Sequence, residues 1–494
     1  MKKTAHQTRR EFLVEAAGAA LASRFTPARR PVEFLSPRGD TSPDYTLRIE
    51  ASAIEIAKNR FVSVIAYNGQ FPGPLLRFKE GRPVSVEIHN DTDTPEQLHW
   101  HGQMVPSEVD GAAEEGTPFI PAHGSRTFRW TPRPAGLRFY HTHNRAGADL
   151  HAGQYSGQVG PVYIEPQTAG SFDSEVFLTL KEFEPSLSQG GDMPQDFLAP
   201  ATEGKELRDA GEAAMKASLA KGQPHGYEVG YRYFTINGRM LGHGEPIRVK
   251  QGQRVLLHIL NGSATEIRSL ALPGHTFRVV ALDGNPLPAP TEVPVLWLGT
   301  AERISAVVEM RHPGVWILGD LADDDRKHGM GIVVEYAGHR GQPVWAAPAP
   351  FRWNYARFAA RNPAASPQPD ETIEMTFRKQ NAAARGFNLW TINDQAFASG
   401  QMTAAYRLRE GRRYRVRMRN ASDDIHPVHL HRHTFEISKY AGVPLSGVRK
   451  DVVMVGGYHE VEIDFVADNP GLTLFHCHQQ LHMDFGFMTL FGYQ

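Results

Sequence analysis

The sequence predicts an all-β chain built of three similar β-sandwich domains. Three observations carry this reading. One plan of turn and strand is written three times, in "YNGQFPGPLLRFKEGRPVSVEIHN", "INGRMLGHGEPIRVKQGQRVLLHILN" and "INDQAFASGQMTAAYRLREGRRYRVRMRN". A second shared stretch closes each copy: "PAGLRFYHTH", "HPGVWILGDL" and "NPGLTLFHCH". The chain also holds 46 glycines and 35 prolines in 494 residues, as many short strands joined by turns require. A chain of that length exceeds one ordinary core.

The elements follow in order. The N-terminal "TRREFLVEAAGAALAS" has paired Arg9 and Arg10, then Glu11, Phe12 and Leu13, a mild apolar stretch, and small residues around Ala20 and Ala22 for cleavage. It resembles a twin-arginine export signal, so residues 1–40 are set aside as signal and leader, and a periplasmic or secreted protein is expected. The apolar run is short and broken by Glu15, so no membrane span is expected. Each copy of the repeat opens at Asn68, Asn237 or Asn393, turns, forms a strand, and turns again at Gly81, Gly252 or Gly411. An alternating strand follows, ending at Asn90, Asn261 or Asn420, and its period of two is the β signal. The limits that result are 45–170, 171–340 and 341–494. Residues 184–225 interrupt the second domain with the helical run "GKELRDAGEAAMKASLAKG", expected to be an insertion or lid. The Pro- and Ala-rich 338–370 stretch reads as a linker, and Asp323, Asp324 and Asp325 as a solvated loop.

Composition excludes some functions. Hydrophobic residues make up 41% and charged residues 22%, the balance of a globular protein. A net charge of -1 gives no argument for nucleic acid or an anionic membrane as partner. One cysteine cannot form an internal disulfide.

The repeats supply a controlled comparison. The first copy carries His99-Trp100-His101 and His141-Thr142-His143; the third carries His429-Leu430-His431 and His476-Cys477-His478. The second has Ala271-Leu272-Pro273 and Gly319-Asp320-Leu321 at the same places. The unit therefore folds without the histidines. Residues i and i+2 of a strand share a face, so each pair presents two imidazoles side by side. Imidazole is the commonest ligand for copper, zinc, iron and nickel. One such pair is weak evidence, but four pairs are strong, and their eight imidazoles exceed what one ion needs. Three ions suit them better, with the first and third domains face to face.

Cys477 points to the strand face opposite His476 and His478. A thiolate with two imidazoles and a weak or absent axial ligand makes a trigonal blue-copper site. His482 supplies one imidazole, and His426 in "HPVHLHRHTF" can supply the other. The cysteine then ties two metal sites together through a short stretch of backbone. A buried structural cysteine and a four-ligand Cys/His zinc site both leave most of these histidines idle.

With these residues in hand, the chain from 45 to 494 resembles the multicopper oxidases: laccases, bilirubin oxidases, ascorbate oxidase and bacterial cuprous oxidases. All four histidine motifs of that family are present. The resemblance implies three cupredoxin-like Greek-key domains and four coppers, with no cofactor beyond copper. It implies a type 1 copper on His426, Cys477 and His482, and a type 2 copper on His99 and His429. The type 3 pair would take His101, His141, His143, His431, His476 and His478. The implied reaction oxidises a reductant near His482 one electron at a time and reduces dioxygen to water between the first and third domains.

Such a reaction needs protons at a buried site. Asp110, in "HWHGQMVPSEVDGA", resembles the proton-donating aspartate of bacterial members, although a turn residue before Gly111 has the same pattern. Asp484 is a second candidate; some relatives carry a carboxylate directly after the type 1 histidine, where this chain has Met483. The family's axial position falls on Phe487, which cannot ligate, so a relatively high type 1 potential is expected. Met488 is one residue out of register. His433 matches His275 of the metal-free copy and is expected to pack or hydrogen-bond.

A laccase-like oxidase of phenols or aromatic amines, acting as a monomer with dioxygen and a small aromatic or metal-ion reductant, is the reading these residues favour. A cuprous-ion oxidase for copper tolerance is the first rival, lowered because the 13 methionines are scattered. A copper-binding envelope scaffold and a copper nitrite reductase are the others; the full histidine set counts against both.

Overall fold

Asn68, Asn237 and Asn393 show why the three copies fold alike. Each occupies a hairpin turn at positive φ (53°, 51° and 50°), a conformation that Asn tolerates. Their Oδ1 atoms accept the main-chain N–H of Arg48, Thr179 and Thr376 at 2.6, 2.8 and 2.8 Å. Their Nδ2 atoms donate to the carbonyls of Thr46, Phe177 and Glu374. Each turn is thus pinned to the hairpin partner of the strand that enters it, Tyr45–Ala57, Ser174–Ser188 or Glu371–Ala384. Gly81, Gly252 and Gly411 follow at φ of 74°, 81° and 79° with open space around the missing Cβ, so backbone conformation alone calls for glycine there.

The computed structural model describes residues 42–494, apart from 168–169, 189–196, 201–204, 223–224, 362–366, 399 and 401. The expected export signal, with Arg9 and Arg10, lies outside the described residues. Among the described residues no helix is long and apolar enough to cross a membrane.

Three cupredoxin-like β-sandwiches follow one another. In the first, one sheet runs Arg60–Tyr67, Tyr45–Ala57, Val84–Asn90, Gly124–Trp130; the other runs Leu76–Lys79, Val159–Glu165, Gly136–His141, His99–His101. In the third, Glu371–Ala384 and Arg413–Asn420 lie within one sheet, and His426–Leu430 and Thr473–Cys477 are neighbours in the other. The same parallel pairing recurs in every copy, as Tyr45 with Val86, Ser174 with Val255, and Glu371 with Tyr414. So does the pairing that matters for function. His99 faces His141 and His429 faces His476, while in the second copy Ala271 bridges Gly319. The metal-free copy has the same backbone with the imidazoles removed.

The second domain carries a helix, Lys205–Ala220, within the expected insertion. Two expectations need correction. The 338–370 linker is anchored: Trp353, Tyr355 and Phe358 are buried in the core, and Tyr355 Oη donates to Glu302 at 2.6 Å. The acidic run is a short helix, Asp323–Lys327, and not a loop; Asp323 and Asp324 are exposed as expected, while Asp325 pairs at 2.6 Å with the buried Arg268. A buried guanidinium needs a carboxylate, and the run folds to supply it.

Candidate metal centre

Two adjoining strands build the site. His426–Leu430 lies antiparallel to Thr473–Cys477, with His429 opposite His476 and Val428 opposite Cys477. Period-two alternation then sends His429 and His476 to one face and His426 and Cys477 to the other. Strand geometry covers only part of the motifs. The strands end at His141, Leu430 and Cys477, so His143, His431 and His478 stand just beyond them. Backbone bonds from His431 N to Leu474 O and from His478 N to Pro427 O hold the continuation in place.

On the cysteine side, His426 Nδ1 and His482 Nδ1 face each other at 3.0 Å, and Cys477 Sγ lies 3.5 Å from His482 Nδ1. All three residues are buried. Ser422 Oγ donates to Asn420 Oδ1 at 2.8 Å, so at 3.0 Å it accepts from His426 Nε2. That fixes the proton on Nε2 and turns the Nδ1 lone pair inward. Burial pushes the Cys477 thiol well up and holds His482 down at about 4. Phe487 lies against the His426 ring, with centroids 4.6 Å apart, while Met488 packs away from it with Leu474 and Met483.

On the opposite side eight imidazoles from the first and third domains share one buried space. His99 stacks on His431 with centroids 4.0 Å apart, and His101 on His429 at 3.8 Å. Burial, followed by the neighbouring imidazoles, holds His101, His141, His143, His429, His431 and His478 well below the usual range; His476 is pushed down to about 3. These rings are neutral and free to ligate.

In six of the eight, the outer nitrogen is tied to oxygen. His99 and His429 give Nδ1–H to the carbonyls of Asp110 and Asp451. His141 and His476 give theirs to the carbonyls of Thr142 and Cys477. His431 Nδ1 lies 2.8 Å from Asp110 Oδ2, and His101 Nε2 lies 3.1 Å from Asp451 Oδ1. The inner nitrogens are left without an oxygen partner. His99 Nε2, His101 Nδ1, His429 Nε2, His478 Nδ1 and both nitrogens of His143 are buried and unpaired; His431 Nε2 and His476 Nε2 meet only each other, at 2.9 Å. Buried polar atoms are rarely orphaned, and orphaned lone pairs converging in groups are the donor set of metal ions. The groups His99, His429 and His431, then His143, His431 and His476, and separately His426, Cys477 and His482, each bring their donors within 4.8 Å of one another.

Asp110 belongs to this pocket: its Oδ2 also lies 3.0 Å from His99 Nδ1. Gly111 behind it sits at φ 101°, and a Cβ there would fall 1.9 Å from Leu98 O, so only glycine lets this turn close on the His99 strand. Asp484 stands to one side. Its Oδ2 accepts the N–H groups of Ala146 and Gly147 and a bond from Gln480, and burial pushes it up to about 6. Among the described residues it bonds none of the eight imidazoles.

Sequence reasoning missed two acids. Glu115 lies 3.3 Å from His431 Nδ1 and is held well above the usual carboxylate range by burial and by Asp110. Asp451 touches two imidazoles and is clamped by Arg303 at 2.6 Å through both oxygens. The one signal for it was "RKDVVMV", a charged pair leading into an apolar strand.

Three multicopper oxidase family models match the chain in turn, over residues 48–169, 208–331 and 352–494. Multicopper oxidase MmcO of Mycobacterium tuberculosis is 29% identical over 96% of this chain and 92% of its own. Bilirubin oxidase of Albifimbria verrucaria is 25% identical over 87% and 72%. The solved multi-copper oxidase of Pseudomonas thermotolerans superposes with a TM-score of 0.67 at 24% identity, over 92% of this chain and all of that one. With family matches over both histidine-bearing domains and the metal-free one between them, this chain belongs to the multicopper oxidases, enzymes that hold copper and pass electrons from a reductant to dioxygen.

Proposed function

We propose that the chain is a laccase-type oxidase, removing one electron at a time from phenols or aromatic amines while reducing dioxygen to water. The orphaned inner nitrogens carry the metal assignment. His426, Cys477 and His482 would hold a type 1 copper; His99 and His429 a type 2; and His101, His141, His143, His431, His476 and His478 the type 3 pair. Bound copper supplies the one-electron oxidant beside Cys477 and the site of dioxygen reduction among the imidazoles. The protein's own part is to bury those imidazoles, fix the outer protons of six of them on oxygen and keep bulk water out. Glu115, which touches His431, holds a proton at that pocket, and Asp110, in contact with both, is the proposed donor to the cluster. Asp484 is a second store, at the edge.

Aromatic surroundings support an organic reductant. Trp390 stacks on His482 with centroids 4.1 Å apart, and Phe387 stacks on Phe485 nearby. The cuprous-ion reading calls for thioethers, and the 13 methionines of the chain are scattered. One chain supplies every ligand, which supports a monomer with domain limits of 45–170, 171–340 and 341–494. Export by the twin-arginine route to the periplasm or beyond completes the proposal.

Copper analysis of loaded protein beside Cys477→Ser tests it. About four coppers and an intense thiolate–copper band, lost in the variant, are expected. One or two coppers, or no band in the wild type, would sink the assignment.

A further inference from the structure

We propose that the reductant docks in the cleft between the Lys205–Ala220 helix and the third domain, that the cleft selects phenols bearing a carboxylate, and that electrons leave it past Ser422 to His426. The inference rests on the oxidase reading and gives its substrate a place and a charge.

The helix is seated on the third domain. A Cβ on Gly211 would lie 2.6 Å from Tyr458 Cε1 and 2.7 Å from Ala421 O, so glycine, disfavoured inside a helix, is what allows this approach. Leu207 packs with Ala421 and Tyr458, and the Arg208 guanidinium lies over the Tyr458 ring at 5.0 Å. Beside this contact a cleft of about 300 Å³ remains, lined by Lys221, Arg378, Lys379, Ser422, Asp423 and Tyr458 among others. That volume suits one substituted ring.

Charge selects the occupant. Three cations line the cleft against one carboxylate. Lys379 is engaged by Asp423 and Asp424, and Arg378 by Asp394 at 3.1 Å. Among the described residues Lys221 makes no ion pair, and it is exposed at the rim to meet an anion. Tyr458 offers the ring a wall.

The route follows from what is covered. Trp390 roofs the face of His482, whose exposure is 2%. Ser422 lines the cleft and holds His426 Nε2 at 3.0 Å, so a docked ring is separated from that imidazole by one hydroxyl. The balance is simple. Four phenols each lose one electron and the phenolic proton, leaving four aryloxyl radicals. One dioxygen takes the four electrons and four protons and becomes two waters.

Sinapate and methyl sinapate share the ring and the phenol and differ in charge. With copper-loaded wild type, kcat/KM should favour the acid, and Lys221→Glu should cut the acid-to-ester ratio about fivefold. Ala217 also lines the cleft, so calorimetric binding of 4-methoxybenzoate, which has no oxidisable hydroxyl, should be lost in Ala217→Trp, whose indole fills it. An unchanged ratio in Lys221→Glu, a wild type that prefers the ester, or undiminished binding in Ala217→Trp overturns the cleft. A wild type that consumes no dioxygen with either compound overturns the oxidase reading instead, and the calorimetry still judges the cleft.

Discussion

At the residue scale, the outer nitrogen of each imidazole decides what the inner one can do. Asp110 and Asp451 each serve two rings, one by a main-chain carbonyl and one by a carboxylate oxygen. No sequence pattern announces this, because the partners are carbonyls of any residue type or acids hundreds of positions away. Phe487 is different, since its spacing from Cys477 is written in the sequence and its ring is found against His426. A thioether there would stabilise the oxidised copper more than the reduced one. Phe487→Met should therefore lower the type 1 potential by roughly 60 mV or more, a tenfold shift in the one-electron equilibrium. Redox titration of the blue band measures it, and an unchanged potential would remove Phe487 from the axial position.

At the element scale, the turn at Gly111 joins a local conformation to the metal pocket. Gly111→Ala places a Cβ against Leu98 O and His99 Cα at a φ that alanine resists. The strain, about 1–3 kcal/mol, should displace Asp110 and His99 and spare Cys477. Copper analysis should show ions missing from the imidazole cluster while the blue band persists; equal loss from both sites would refute the local effect. Much of the elements' order was legible. Asn68, Asn237 and Asn393 marked three equivalent turns because each turn needs a residue that tolerates positive φ and whose side chain bonds the main chain of an earlier strand. The metal-free copy was legible for the same reason, as Ala271 and Gly319 keep the register of His429 and His476. Trp353, Tyr355 and Phe358 were hidden in a Pro- and Ala-rich stretch, since their burial depends on a neighbouring domain and leaves no periodicity. His433 and His275 form a structural pair at matching places in the third and second copies. Each bonds a carbonyl two residues back and a tyrosine hydroxyl, Tyr493 or Tyr336.

At the scale of the whole molecule, the domains are joined by buried charges that the sequence could not place. Arg138 of the first domain and Arg303 of the second meet on Asp451 of the third. Lys450, beside it, lies 2.9 Å from both Asp283 and Glu302 of the second. The junction thus fixes where His101 and His429 stand relative to each other. Lys450→Met removes the cation from two buried acids. Asp283 keeps the N–H groups of Arg303, Asp451 and Val452, and Glu302 keeps the N–H of Gly299 and the hydroxyl of Tyr355. Breaking a buried pair this way costs about 3–5 kcal/mol. The pH dependence has a sign. Burial already holds Glu302 above the usual carboxylate range and Lys450 opposes that, so losing Lys450 raises it further. An acid raised by folding binds its proton more tightly when folded, so its contribution falls as pH climbs from the unfolded value, about 4.3, through the folded one. Lys450→Met should therefore lose less stability at pH 5 than at pH 8. Guanidinium unfolding at both pH values measures it. Equal losses, or a loss under about 1 kcal/mol at pH 8, would mean that the three domains are held by their apolar contacts and that the charged junction adds little.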